Sequence, residues 1–203
     1  MIKKTKLVFI AFITVIIILT TVTIFMFFNS ESDIKLSKLG LTLDDVPSGF
    51  DKDTEFYKKY ALGEEEDILP GVVDAYYVYF SNFNETKQNN ESEDNQKNII
   101  CTLLKFNSVD SADDAFYYYA QMDLPTSESH DIINIEIIGQ ESILKVSNIS
   151  ENLNFSHSEV MLNFRISNII VSIITILNPT EDNISITVNL AKIVEQKINA
   201  SLN

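Results

Sequence analysis

EVMLNFRISNIIVSIITIL, from Glu159 to Leu177, is the stretch on which the fold turns. Two runs of branched and large apolar residues flank Ser167-Asn168, and asparagine tolerates the positive φ that a two-residue hairpin demands. Turned there, the chain sets Phe164 opposite Val171 and Leu162 opposite Ile173. Opposed residues project to the same face, so one face of the hairpin is apolar throughout. The expectation is a sheet with this hairpin in its core.

Working outward, Ile186, Leu190, Ile193, Val194, Ile198 and Leu202 predict an amphipathic C-terminal helix of about four turns. On the other side, DIINIEIIGQESILKV (Asp131–Val146) reads as two short strands broken at Gly139. SADDAFYYYAQM (Ser111–Met122) predicts a helix. Ser111 and Asp114 have the spacing of a capping box, and Asp113 adds negative charge where the helix dipole favours it. Ala112, Ala115, Phe116 and Tyr119 form its buried face, and Asp123-Leu124-Pro125 ends it. VVDAYYVYFSNF (Val72–Phe83) and IICTLLKF (Ile99–Phe106) predict a strand pair. Residues 84–98 between them carry no large apolar side chain and read as a mobile polar loop. DKDTEFYKKYAL (Asp51–Leu62) fits a helical face through Phe56 and Tyr60 as well as it fits a strand. Strands dominate. The expected class is α+β: an N-terminal transmembrane helix followed by a single antiparallel β-sheet domain packed with two main helices.

The transmembrane expectation rests on LVFIAFITVIIILTTVTIFMFF, Leu7 to Phe28, which holds no charge. As a helix it would reach roughly 33 Å, enough to cross a hydrocarbon core of about 30 Å. Lys3, Lys4 and Lys6 precede it, which places the N-terminus in the cytoplasm. Its length and its bulky end, Phe25 to Phe28, favour an uncleaved signal anchor over a secretory peptide cut after Ser32. The expected layout is a cytoplasmic tail at 1–6, the anchor at 7–28, a polar linker at 29–40 and an extracytoplasmic domain at 41–203. The lipid bilayer is then a partner through residues 7–28.

The chain has 15 basic and 29 acidic side chains and a net charge of −14. Setting aside Lys3, Lys4 and Lys6 leaves 12 basic against 29 acidic, a net of −17. Such a surface repels nucleic acid and anionic headgroups, so no nucleic-acid partner is expected. Cys101 is the single cysteine and sits in an apolar strand, so it reads as an inert core residue. Six N-x-S/T sequons start at Asn84, Asn90, Asn148, Asn154, Asn183 and Asn199. They are candidates for N-glycosylation, with Asn84 and Asn90 best placed in the loop.

The order of these pieces resembles extracytoplasmic PsbP-like α/β-sandwich domains, as used in receptor-kinase sensor domains and small exported lipoproteins. Pro47-Ser48-Gly49-Phe50 stands at the family's proline-glycine-aromatic entry, and Ala112 with Ala115 at its alanine-containing helix. Gly139-Gln140-Glu141-Ser142 and Arg165-Ile166-Ser167-Asn168 stand at its glycine-acid step and its arginine-glycine-asparagine hairpin. The likeness spans about Leu41 to Leu202. It departs in having Ser167 where glycine is usual and in lacking paired cysteines. It implies a binding or docking scaffold and carries over no catalytic residue.

Motifs of chemistry are sparse. His130 and His157 are too few for a three-ligand zinc site and read as surface residues, so no metal or cofactor is expected. Ser142 and Lys145 match S-x-x-K, whose serine and lysine meet across one helical turn in penicillin-binding enzymes. Here they lie in a strand. Glu64–Asp67, and Asp110 with Asp113 and Asp114, lack the spacing of a calcium loop. Three consecutive tyrosines, Tyr117 to Tyr119, cannot all be buried by one helix, so Tyr117 and Tyr118 are the candidate partner contact. The expected function is a membrane-anchored binding, docking or accessory module without catalytic activity, with a membrane or envelope protein as its partner. The alternatives are an envelope-acting serine hydrolase and a purely structural surface protein.

Overall fold

The structure is a computed structural model, and it describes residues 35–60, 70–82, 97–121, 130–149, 157–178 and 182–202. Leu36–Asn203 form one compact unit. Its strands are β1 (Asp51–Lys59), β2 (Val72–Ser81), β3 (Asn98–Phe106), β4 (Asp131–Ile133), β5 (Glu141–Ile149), β6 (His157–Ile166) and β7 (Ile169–Leu177). They form one antiparallel sheet in the order β1-β2-β3-β7-β6-β5-β4. The helices are α1 (Val109–Gln121) and α2 (Asn183–Leu202).

The β6–β7 hairpin has the register expected of it, with Phe164 opposite Val171 and Leu162 opposite Ile173. The turn is made differently. Ser167 takes the positive φ, at 54°. Asn168 is spent on the neighbouring strand: its Nδ2 donates to the Phe106 carbonyl at 2.7 Å, and the Phe106 amide donates to the Asn168 carbonyl at 2.8 Å. Because β3 pairs with β7, α1 and the chain beyond it carry the path from mid-sheet to the far edge at β4.

The two helices lie on opposite faces. Alternate strand residues point to opposite sides. Ile170 packs in a cluster with Ala112, Ala115 and Phe116 of α1, together with Leu104 and Phe106. Thr175, five residues on, shares a hydrogen bond of 2.6 Å with Thr187 of α2. The α2 side is the drier. Val78, Phe80, Cys101, Leu103, Leu162, Phe164 and Ile173 are fully enclosed there, and Leu190, Ala191, Val194 and Ile198 of α2 close it. Each such large side chain contributes about 1.5–3 kcal/mol by leaving water. Leu36, Leu39 and Leu41 are buried as well, so this N-terminal part of the described chain belongs to the packed core. Lys197 of α2 holds this N-terminal segment, donating to the Gly40 carbonyl at 3.0 Å and to Asp45 Oδ2 at 2.5 Å.

The helix ends are set by local chemistry. Ser108 caps α1, its Oγ accepting the Ser111 amide at 3.0 Å, so the helix opens one turn before the Ser111–Asp114 pair expected to cap it. Asp182 caps α2 by accepting the Ser185 amide at 3.1 Å. That cap starts α2 at Asn183 and makes it longer than its apolar spacing indicated.

The expected fold class needs correction. The described unit is mostly β, seven antiparallel strands with two helices, rather than α+β. Among the described residues no helix is long and apolar enough to cross a membrane. The longest, α2, carries Lys192, Glu195, Gln196 and Lys197 and is amphipathic. The run at 7–28, on which the transmembrane helix was placed, lies outside the described residues, as does most of the 84–98 loop.

Candidate functional site

The α1 side of the sheet is organised by Arg165 of β6, whose side chain is nearly enclosed. Its Nε donates to Glu141 of β5, its Nη2 to Asp113 of α1 at 2.9 Å, and its Nη1 to Gln140 Oε1 and the Ser167 carbonyl, both at 3.1 Å. Gln140 Oε1 also accepts the Ser167 amide at 2.7 Å. One planar guanidinium with several donors can tie three elements together in this way. Gly139 lets the chain pass: its φ is +69°, and a Cβ there would meet the Arg165 carbonyl oxygen. The residues of the glycine-acid step and the arginine hairpin thus converge on one scaffold that fixes α1 over the sheet.

The α1 helix covers only part of that face. Beyond it, the strands show a clear asymmetry. In β3, Ile99, Cys101 and Leu103 on the α2 side are fully buried, while Ile100 and Thr102 on the α1 side are half-exposed. Tyr77 and Tyr79 of β2 and Ile174 of β7 are half-exposed on the same side, and Phe56 of β1 is 50% exposed. Strand register aligns these residues. Phe56, Tyr77, Thr102, Ser172 and Asn163 stand opposite one another in turn across β1, β2, β3, β7 and β6. Thr54, Tyr79, Ile100, Ile174 and Met161 form the next such row.

The first row changes character along its length, from two aromatic rings to three uncharged hydrogen-bonding groups. Ser172 is buried and Asn163 is fully enclosed at the edge of α1. Asn163 Nδ2 reaches the Tyr119 carbonyl at 3.5 Å, and its Oδ1 is buried without a hydrogen-bond partner. A buried amide oxygen left so costs about 1–3 kcal/mol. Burial pushes the phenols of Tyr77 and Tyr79 above their ordinary value, and that of Tyr119 up to about 12, so all three stay neutral at physiological pH. The patch therefore offers rings, hydroxyls and an amide, and no charge in its central row.

The residues singled out from sequence fall elsewhere. Tyr117 and Tyr118 are 64% and 60% exposed on the outer side of α1, while Tyr119 packs inward. Ser142 and Lys145 point to opposite faces of β5, Ser142 opposite Phe164 and Lys145 opposite Met161. Ser142 Oγ accepts the Ile138 amide at 3.2 Å, and Lys145 is buried on the α1 side. Cys101 is enclosed, and burial pushes its thiol up to about 12. His130 lies just before β4 and His157 opens β6. Among the described residues no three His, Cys, Asp or Glu side chains gather to hold a metal. Of the sequons, Asn199 is exposed on α2, and Asn148 lies in β5. Asn183 is buried with its Nδ2 donating to the Ser158 carbonyl at 2.6 Å. Asn84, Asn90 and Asn154 lie outside the described residues.

Sequence reasoning passed over Asn163, Ser172 and Thr102. Their signal was a single polar residue inside an otherwise apolar strand run, as in MLNFRI and IIVSIITIL.

No family model and no curated protein sequence matches the chain. Among solved structures, the extracellular domain of PknH from Mycobacterium tuberculosis is similar, with a TM-score of 0.54 and 11% sequence identity over 81% of this chain and 94% of that one. At this identity the likeness establishes the fold alone: the chain shares its architecture with a domain that a mycobacterial receptor kinase carries outside the cell.

Proposed function

We propose that the chain is a non-catalytic binding or docking module of the PsbP-like kind, working outside the cytoplasm. The observation that carries this reading is the fold shared with the extracellular domain of PknH. The uncharged run at 7–28 supplies its contact with the bilayer, with Lys3, Lys4 and Lys6 on the cytoplasmic side. A serine hydrolase built on S-x-x-K finds no support, since Ser142 and Lys145 sit on opposite faces of one strand. The partner is a membrane or envelope protein, and it meets α1 at Tyr117 and Tyr118. Two exposed rings on adjacent helical positions supply apolar area and hydroxyl groups at small entropic cost.

The test is the double substitution Tyr117→Ser/Tyr118→Ser. With folding intact, recovery of a crosslinked partner should fall at least about tenfold, the loss of roughly 1.4 kcal/mol or more. Undiminished recovery would remove the α1 surface from the account.

A further inference from the structure

The sheet order ends at β1, whose nine residues are all exposed. The Tyr60 amide donates to the Val73 carbonyl at 2.9 Å, which fixes the phase of the β1–β2 ladder. Along an antiparallel strand, alternate residues turn both backbone groups toward the same neighbour. Tyr60, Lys58 and Phe56 therefore face β2, and Lys59, Tyr57 and Glu55 turn their N–H and C=O groups outward. Among the described residues no strand lies beyond them. Such an edge is a template for one more strand.

The charges of β1 select which strand. Asp51, Asp53 and Glu55 lie toward its start and Lys58 and Lys59 at its end, while Lys52 is tied to Glu55 at 2.6 Å. Run antiparallel, the strand is thus complementary to itself. Opposed residues share a face, so a two-fold axis through such a pair must pass where a residue meets its own copy. Centred on Glu55, the axis would set Glu55 against Glu55 and Lys52 against Lys58. Centred on Thr54, it would set Asp53 against Glu55. Centred on Tyr57, the overlap is shorter and loses Asp53. Centred on Phe56, no like charges are opposed from Lys52 to Tyr60: Asp53 meets Lys59 and Glu55 meets Tyr57. Phe56, 50% exposed, then meets its own copy in a non-hydrogen-bonded pair, where side chains lie closest. The charges that repel other strands and other registers admit this one.

We infer that β1 pairs with β1 of a second copy of this chain, antiparallel and centred on Phe56, joining two sheets into one. A two-fold axis perpendicular to the sheet keeps the same face of both copies on the same side. The segments from Leu36 to Val46, packed on the α2 side, therefore lie on one side of the pair, as two chains sharing a bilayer through residues 7–28 require. Both copies of α1, with Tyr117 and Tyr118, stay accessible on the other.

This inference goes beyond the docking reading and does not rest on Tyr117 or Tyr118. The full chain in detergent is measured by sedimentation equilibrium, and a dimer is expected. Asp53→Lys alone and Lys59→Asp alone should each weaken it at least about tenfold, and the two together should restore it. Under mild oxidation, Phe56→Cys should be trapped as a disulfide-linked dimer, and Thr54→Cys and Tyr57→Cys far less. Cys101 is enclosed, and the unaltered chain is the control for it. A thermal melt close to that of the unaltered protein controls for folding in every variant. A chain that stays monomeric overturns the inference. So does a dimer that the single charge reversals leave unchanged or the double reversal fails to restore, and so does trapping through Thr54→Cys or Tyr57→Cys in preference to Phe56→Cys. If the dimer fails while a protein is still captured through Tyr117 and Tyr118, the docking reading stands. If capture fails and the dimer forms, the pairing of β1 stands.

Discussion

Asp45 shows how one side chain couples the N-terminal segment to the rest of the unit. Burial pushes its carboxyl up, but the Lys197 ammonium and the Thr42 hydroxyl and amide outweigh that and hold it below the usual carboxylate range. A carboxyl so depressed stabilises the folded chain fully at pH values above its unfolded pKa of about 3.9, and the contribution is lost as pH falls through the folded value. In urea melts at pH 7, Asp45→Asn should be less stable than the unaltered protein by up to about 1 kcal/mol, given the pair's partial exposure. The gap should close as the pH is lowered below about 3.9. A gap that persisted there would mean that the asparagine disturbs packing and that the ion pair is not the cause. The same scale explains what the sequence could disclose. Gly139, Glu141 and Arg165 were found through a resemblance because their chemistry is local and repeated: a glycine that lets the backbone pass and an arginine that binds what lies beside it. Asn163 and Ser172 were not, since their interest depends on which strand lies opposite and on where α1 stops.

Elements were legible where one face is buried and the other is not. The β6–β7 hairpin and the register of its central pairs followed from the Ser167-Asn168 turn and the apolar runs that flank it. The buried stripe of α1, Ala112, Ala115 and Phe116, followed from helical spacing. Strand β1 stayed ambiguous for a physical reason: all nine of its residues are exposed, so there was no core for hydrophobic periodicity to report. Its six charged residues and the irregularity between Lys52 and Thr54 are the marks of a guarded sheet edge. The cap of α1 was displaced because a serine stands at both 108 and 111, and only the structure shows that the Ser108 hydroxyl accepts a backbone amide. Ser108→Ala should destabilise the fold by about 1 kcal/mol in thermal or urea melts, and Ser111→Ala by clearly less. Equal losses would contradict Ser108 as the cap. The expected α+β class failed at this scale too, since the unit is mostly β once β1, left open between helix and strand, joins the other six strands.

At the scale of the molecule, the two faces of the sheet differ in how fully they are covered. Its α2 side is dry and is closed further by the segment from Leu36 to Val46. Its α1 side is fixed at one end by Arg165 and left open over β2, β3 and β7, and the outer surface of α1 shows Tyr117 and Tyr118. The architecture is shared with the extracellular domain of PknH. The measurement that tests the proposed function most directly is crosslinking on intact cells with a membrane-impermeant reagent, followed by identification of what is joined to the chain. The account predicts that lysines of the folded unit, Lys52, Lys58 and Lys192 among them, are reached without permeabilising the cells, and that a second protein is recovered in stoichiometric yield. Labelling only after permeabilisation, or recovery of the chain alone, would contradict an extracytoplasmic docking module.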